Sequence, residues 1–190
     1  MLREFADEHS RVLAETLATQ SEAFEKVAGM AESCLRAGGK ILIFGNGGSA
    51  ADAQHFAAEL VGRFEHDRQG LPALALTVNT STLTAVANDY GFDRVFARQV
   101  EAFGQPGDLA IAISTSGESG NILAAVRAAR DLGCKVVGMT GAQGGTLAEH
   151  ADAVIAVPSR TVARIQEMHE LCLHALAALL EKRIFNEAGE

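Results

Sequence analysis

At 190 residues the chain is long enough to bury a substantial core and fits one domain over 1–190, with a helical extension over about 1–37. Its formal charge is -8, from 16 basic and 24 acidic side chains. That balance leaves no basic stripe to neutralise nucleic-acid phosphates, which excludes DNA or RNA as a direct partner. The opening nine residues are charged with no apolar run behind them, and no stretch approaches the roughly 20 apolar residues of a membrane span. A cytoplasmic protein with no membrane partner is expected.

The first helix is predicted over 10–37, where Leu13, Leu17, Phe24, Val27 and Met30 recur at helical intervals and Gly38-Gly39 ends the pattern. Residues 40–44 then form a short, almost wholly apolar run, as expected of a strand covered on both faces. The theme returns at 73–77, 109–113, 135–139 and 153–157, with crossover-length gaps between. This predicts an α/β fold, a doubly wound sheet of five parallel strands flanked by helices. The last helix, about 160–185, is apolar on more than one face, and with the first helix it argues for an oligomer. Cys34, Cys134 and Cys172 form neither an even framework nor a metal-binding pair, and read as reduced core thiols.

Ligands of such sheets bind at the carboxyl ends of the strands. There, Ser114, Thr115, Ser116 and Ser119 surround Gly117 at a helix start. Hydroxyls, orphan N–H groups and the positive helix end suit a phosphate, although Ser119 alone would read as a helix cap. Gly45, Gly47 and Ala50 match a dinucleotide fingerprint, but the second strand ends Thr77-Val-Asn-Thr80 without the acid that holds a ribose. The turn instead lets Asn46, Gly47 and Gly48 approach a sugar's hydroxyls.

Asp52, His55 and Glu59 share one face of the next helix, and His55 with Glu59 has the spacing by which one helix offers two metal ligands; it is equally the spacing of a solvated pair. Gln166 and His174 lie two turns apart on the terminal helix. Among Leu171, Cys172, Leu173 and Leu176, His174 requires a partner, either at the site or as a core histidine bonded to a backbone carbonyl. His169 reads as an ordinary surface or supporting residue, and His66 and His150 as solvated.

Residues 45–60, Ala87-Asn-Asp-Tyr-Gly-Phe-Asp93, 113–119 and Arg164-Ile-Gln-Glu-Met-His169 together resemble the sedoheptulose 7-phosphate isomerases of the sugar isomerase (SIS) domain superfamily, in order and over essentially the whole chain. The resemblance implies a homotetramer with sites between subunits, acting on a sugar phosphate for the core sugars of lipopolysaccharide. It implies zinc on His55, Glu59, Gln166 and His174. Substrate contacts fall on Asn46, Gly47, Gly48, Glu59, Asn88, Asp89, Ser114, Thr115, Ser116, Ser119 and Gln166, with Arg63 close by.

Aldose-ketose isomerisation moves a proton between neighbouring carbons, which requires a base and an acid; Glu59 is the natural base, and His174 can exchange protons with the oxygens of an enediol. Zinc would act as a Lewis acid. Ala163 departs from the family, which often carries an acid there. The replication-initiator-associating proteins share the Ala163–His169 stretch and form the alternative, a binding function. They lack the Glu and terminal-helix His that this chain has at 59 and 174. A sugar-phosphate sensor would need the phosphate loop but neither group.

Overall fold

The computed structural model describes residues 1–186. Helix α1 (Leu2–Arg36) begins well before residue 10. Its first turns are polar, so apolar spacing could not reveal them; they are held from outside, where Arg164 donates to the Phe5 carbonyl at 2.6 Å and lies over the Phe5 ring. The glycine pair ends it as expected, Gly38 taking a left-handed φ of 81°.

Strand β1 (Ile41–Gly45) is followed by α2 (Gly48–Val61), β2 (Ala73–Ala75), α3 (Thr80–Tyr90), a short 3-10 turn and α4 (Ala97–Phe103). Then come β3 (Leu109–Ile113), α5 (Gly120–Asp131), β4 (Lys135–Gly141), α6 (Gly145–His150), β5 (Ala153–Val157) and α7 (Val162–Glu181). The five strands are all parallel, as expected, in the order β2-β1-β3-β4-β5. Strand β2 is shorter than the apolar run at 73–77 because the chain turns at Leu76, whose amide still reaches the Ile43 carbonyl at 3.0 Å.

Alternate strand residues feed two cores. Ile41, Ile43, Leu109 and Ile111 pack with Phe56, Leu60, Leu173 and Leu176 beneath α1, α2 and α7. Leu42, Phe44, Ala110 and Ala112 pack with Val100, Ile122 and Val126 beneath α4 and α5. Both faces are covered, which is why the strands are continuous apolar runs. Because the chain leaves β1 and β3 toward opposite edges, their carboxyl ends form a topological switch point, the position at which such sheets bind their ligands.

Candidate active site

The β1–α2 and β3–α5 turns flank that switch point. Asn46 Nδ2 donates to Asn121 Oδ1 at 2.9 Å, and Asn121 Nδ2 donates back to Asn46 Oδ1 at 2.8 Å. Asn46, the residue expected near a sugar hydroxyl, is thus tied by its side-chain amide to the first turn of α5 (Gly120–Asp131). Gly47 and Gly48 are exposed above it. A Cβ on Gly48 would fall 2.5 Å from Gln166 Nε2, so the missing side chain is what lets α7 bring Gln166 against this turn.

In the β3–α5 turn Ser114 is buried, and its hydroxyl lies 3.3 Å from Ser119 Oγ while accepting from the Gly117 amide at 3.2 Å. Ser119 occupies the N-cap of α5 but its side chain makes no cap hydrogen bond, so simple capping does not account for it. Thr115 is half-buried and Ser116 exposed. Gly117 has a φ of 72°, and a Cβ there would fall 2.0 Å from the Gly144 carbonyl oxygen; only glycine permits this bend. Glu118, the loop's one carboxylate, is turned away to Thr146, whose amide and hydroxyl hold it below its usual pKa.

Helices α2 and α7 cross beside these turns and bring together the ionisable groups. His55 Nε2 lies 3.1 Å from Glu59 Oε1 and 3.5 Å from His174 Nε2. His55 Nδ1 lies 2.6 Å from Glu170 Oε1, which is 3.2 Å from His174 Nε2. Glu170 is absent from the sequence reading, although it stands midway between Gln166 and His174 on the face those two residues share. Asp52 faces the same cluster: burial pushes its carboxyl up to about 6, the Glu170 charge adds to the rise and His55 opposes it. One oxygen each of Asp52 and Glu170 is buried without a hydrogen-bond partner. His55, Glu170 and His174 stand close enough for one nitrogen or oxygen of each to share a divalent cation, and imidazole and carboxylate donors suit zinc.

His174 is therefore no core histidine; its side chain is 40% exposed and the Phe64 ring packs on it. The histidine bonded to a backbone carbonyl is His169, read from sequence as a surface or supporting residue. It is fully buried, and its Nε2 lies 3.1 Å from the Thr140 carbonyl oxygen. Burial depresses its pKa to about 4, with the Thr140 contact acting the other way. The error has a simple origin: the terminal helix turns His169 toward β4 and leaves Leu171 exposed, the reverse of what hydrophobic neighbours in sequence suggest.

Two further residues escaped sequence reasoning. Glu181, buried at the end of α7, accepts from the amides of Phe64, Glu65 and His66 and from Arg68 Nε. Arg68 in turn donates to the carbonyls of Leu60 and Glu59, both at 2.7 Å. This buried pair clamps the turn after α2, and so holds the C-terminal end of the helix that carries His55 and Glu59. Arg63, in that turn, is exposed. His66 is exposed and His150 half-buried.

Asn88 and Asp89 hydrogen-bond each other at the exposed end of α3. A cleft of about 720 Å³ beside Lys26, Ser33, Cys34 and Lys135 opens at the amino ends of β3 and β4, the wrong end of such a sheet for its ligand. Cys34 and Cys134 are buried and Cys172 half-buried; all are free thiols, and burial pushes their pKa values up. Among the described residues no helix is long and apolar enough to cross a membrane.

The SIS domain family matches residues 4–141. A phosphoheptose isomerase of Roseiflexus sp. is 55% identical over 172 residues, covering 90% of this chain and 87% of the relative. One from Aliarcobacter butzleri is 52% identical over 176 residues, covering 93% of each. Among solved structures, a phosphoheptose isomerase from Francisella tularensis superposes with a TM-score of 0.93 at 41% identity, over 95% of this chain and 96% of that one. The enzyme from Neisseria gonorrhoeae superposes with a TM-score of 0.90 at 43% identity, over 96% and 100%.

Proposed function

The chain belongs to the SIS-domain family and, within it, to the phosphoheptose isomerases, so it is a sugar-phosphate isomerase; from that membership we propose that it interconverts sedoheptulose 7-phosphate and D-glycero-D-manno-heptose 7-phosphate, in the cytoplasm, for the heptose of the lipopolysaccharide core. The observation that carries this reading is the convergence of His55, Glu59, Glu170 and His174 within hydrogen-bond distances beside a hydroxyl-lined helix start.

In this reading Ser114, Thr115, Ser116, Ser119 and the start of α5 hold the substrate phosphate, and the β1–α2 turn with Gln166 meets the sugar hydroxyls. Glu59 removes the proton from the carbon beside the carbonyl and returns it to the neighbouring carbon. His174 exchanges protons with the two oxygens, so that the enediol forms and collapses without net charge transfer. His55, Glu59, Gln166 and His174 would hold zinc. When bound, the ion polarises the carbonyl and stabilises negative charge developing on its oxygen.

Asn88 and Asp89 are assigned to substrate in a homotetramer with sites between subunits. Their exposure beside Tyr90 and Phe92, each 60% exposed, supports that assignment, as does the apolar groove that Leu17 and Phe24 of α1 form with Leu171 of α7. The replication-initiator alternative draws no support from relatives that are isomerases.

The test is turnover of sedoheptulose 7-phosphate by purified protein, stripped with a chelator and then given zinc. Turnover lost on stripping and restored by zinc is expected; folded protein inactive under every metal condition would sink the proposal.

A further inference from the structure

Gln166, Glu170 and His174 recur every four residues along α7, so Glu170 stands on the face that meets α2. Its Oε1 lies 2.6 Å from His55 Nδ1. A carboxylate oxygen only accepts, so at that distance the ring nitrogen must carry the hydrogen. With Nδ1 occupied, the other nitrogen of His55 points into the space bounded by Glu59 Oε1 at 3.1 Å and His174 Nε2 at 3.5 Å.

Those separations can be compared with what an ion demands. Two tetrahedral ligands at about 2.0–2.1 Å from zinc stand about 3.3 Å apart. The Nε2-to-Nε2 and Nε2-to-Oε1 distances straddle that value, whereas 2.6 Å is too short for two ligands of one ion and suits a shared hydrogen. Glu170 Oε1 stands at a ligand-like 3.2 Å from His174 Nε2 as well, but its 2.6 Å contact with His55 Nδ1 places it on the supporting side of His55, with Glu59 and His174 on the ligand side.

We propose that Glu170 is a positioning residue, which holds His55 in the Nδ1–H tautomer with Nε2 directed at Glu59 and His174 and thereby sets the affinity of that space for a divalent cation. The affinity part rests on the zinc reading given above; the tautomer part does not. Carboxylates behind metal-bound imidazoles fix the ring in this way, and their loss commonly costs about 10–100-fold in metal affinity.

The test compares wild type, Glu170→Gln and Glu170→Ala as full-length, metal-stripped protein. Zinc affinity is measured by competition with a chromophoric chelator, and the His55 tautomer by nitrogen-15 NMR at about pH 9, above the ordinary imidazole range. Glu170→Gln, whose amide oxygen still accepts from Nδ1, should keep both the tautomer and an affinity within a few-fold of wild type. Glu170→Ala should lose about 10–100-fold in affinity and show a mixed tautomer. An unchanged tautomer in Glu170→Ala overturns the proposal. Equal loss of affinity in both variants overturns it too, since the carboxylate charge would then itself be a ligand. If wild-type protein takes up no zinc, the metal reading fails, and the NMR comparison still decides the role of Glu170.

Discussion

Asn46 and Asn121 exchange two side-chain hydrogen bonds across the switch point, at 2.9 Å and 2.8 Å, and so join the turn expected to meet the sugar to the helix expected to meet the phosphate. Asn121 is buried and also accepts from the Ile122 amide. Replacing it with Ala leaves Asn46 unpaired and should cost about 1–3 kcal/mol by urea unfolding. Because the two turns then move independently, KM for the sugar phosphate should rise more than kcat falls.

Glu59 is half-buried with a carboxylate oxygen directed at His55, which is its side chain's hydrogen-bond contact among the described residues. Glu59→Gln should therefore fold like the wild type and lose about 10²–10⁴-fold in kcat. An unfolding midpoint beside a single-turnover rate checks both halves, and full activity in the variant would remove Glu59 from the proton transfer.

Gly48 and Gly117 separate two kinds of close approach. At Gly48 a Cβ meets only the end of the flexible Gln166 side chain, so Gly48→Ala should unfold near the wild-type midpoint yet lose activity as Gln166 is displaced. At Gly117 the obstacle is the backbone of Gly144 and φ is left-handed, so Gly117→Ala should lower thermal stability by several degrees and abolish phosphate binding together.

The Arg68–Glu181 pair is buried, with side chains only 3% and 2% exposed. Burial alone would push the Glu181 carboxyl up, but the amides of His66, Phe64 and Glu65 and the Arg68 guanidinium hold it below its usual range. Glu181→Ala strands the Arg68 charge and should destabilise by about 3–5 kcal/mol. Removing both partners as Arg68→Met with Glu181→Leu should recover part of that loss in denaturant unfolding while leaving kcat low, because the turn after α2 is still unclamped.

His169 links folding to pH. Its folded pKa, about 4, lies below the ordinary imidazole value of 6.5, so the folded state disfavours the proton. Its stabilising contribution is therefore complete above pH 6.5 and is lost as pH falls toward 4, by an amount of roughly 3 kcal/mol for a shift of this size. Urea midpoints between those pH values should fall in the wild type and change less in His169→Gln.

Much of this was legible in the chain itself. Apolar runs at 40–44, 109–113 and 153–157 announce strands buried on both faces, and Gly117 among hydroxyls announces a turn built for close approach. The helical spacing of His55 with Glu59 is a local property, set by 3.6 residues per turn, and it survives folding unchanged. His169 and His174 show where such reasoning stops: five positions apart on one helix, they face a strand and an open site respectively, and only the neighbours of α7 decide which.

The parallel α/β architecture, the switch-point turns and most groups of the candidate site could be read from the chain, because periodicity, glycine placement and apolar runs are governed by forces acting within a few residues. The tertiary structure alone decided that β1 lies between β2 and β3, that Glu170 stands behind His55 across 115 positions, and that Glu181 clamps Arg68 across 113. Those contacts arise from burying the apolar faces of α1, α2 and α7 against one sheet, and the long-range packing that selects them leaves no local pattern to read.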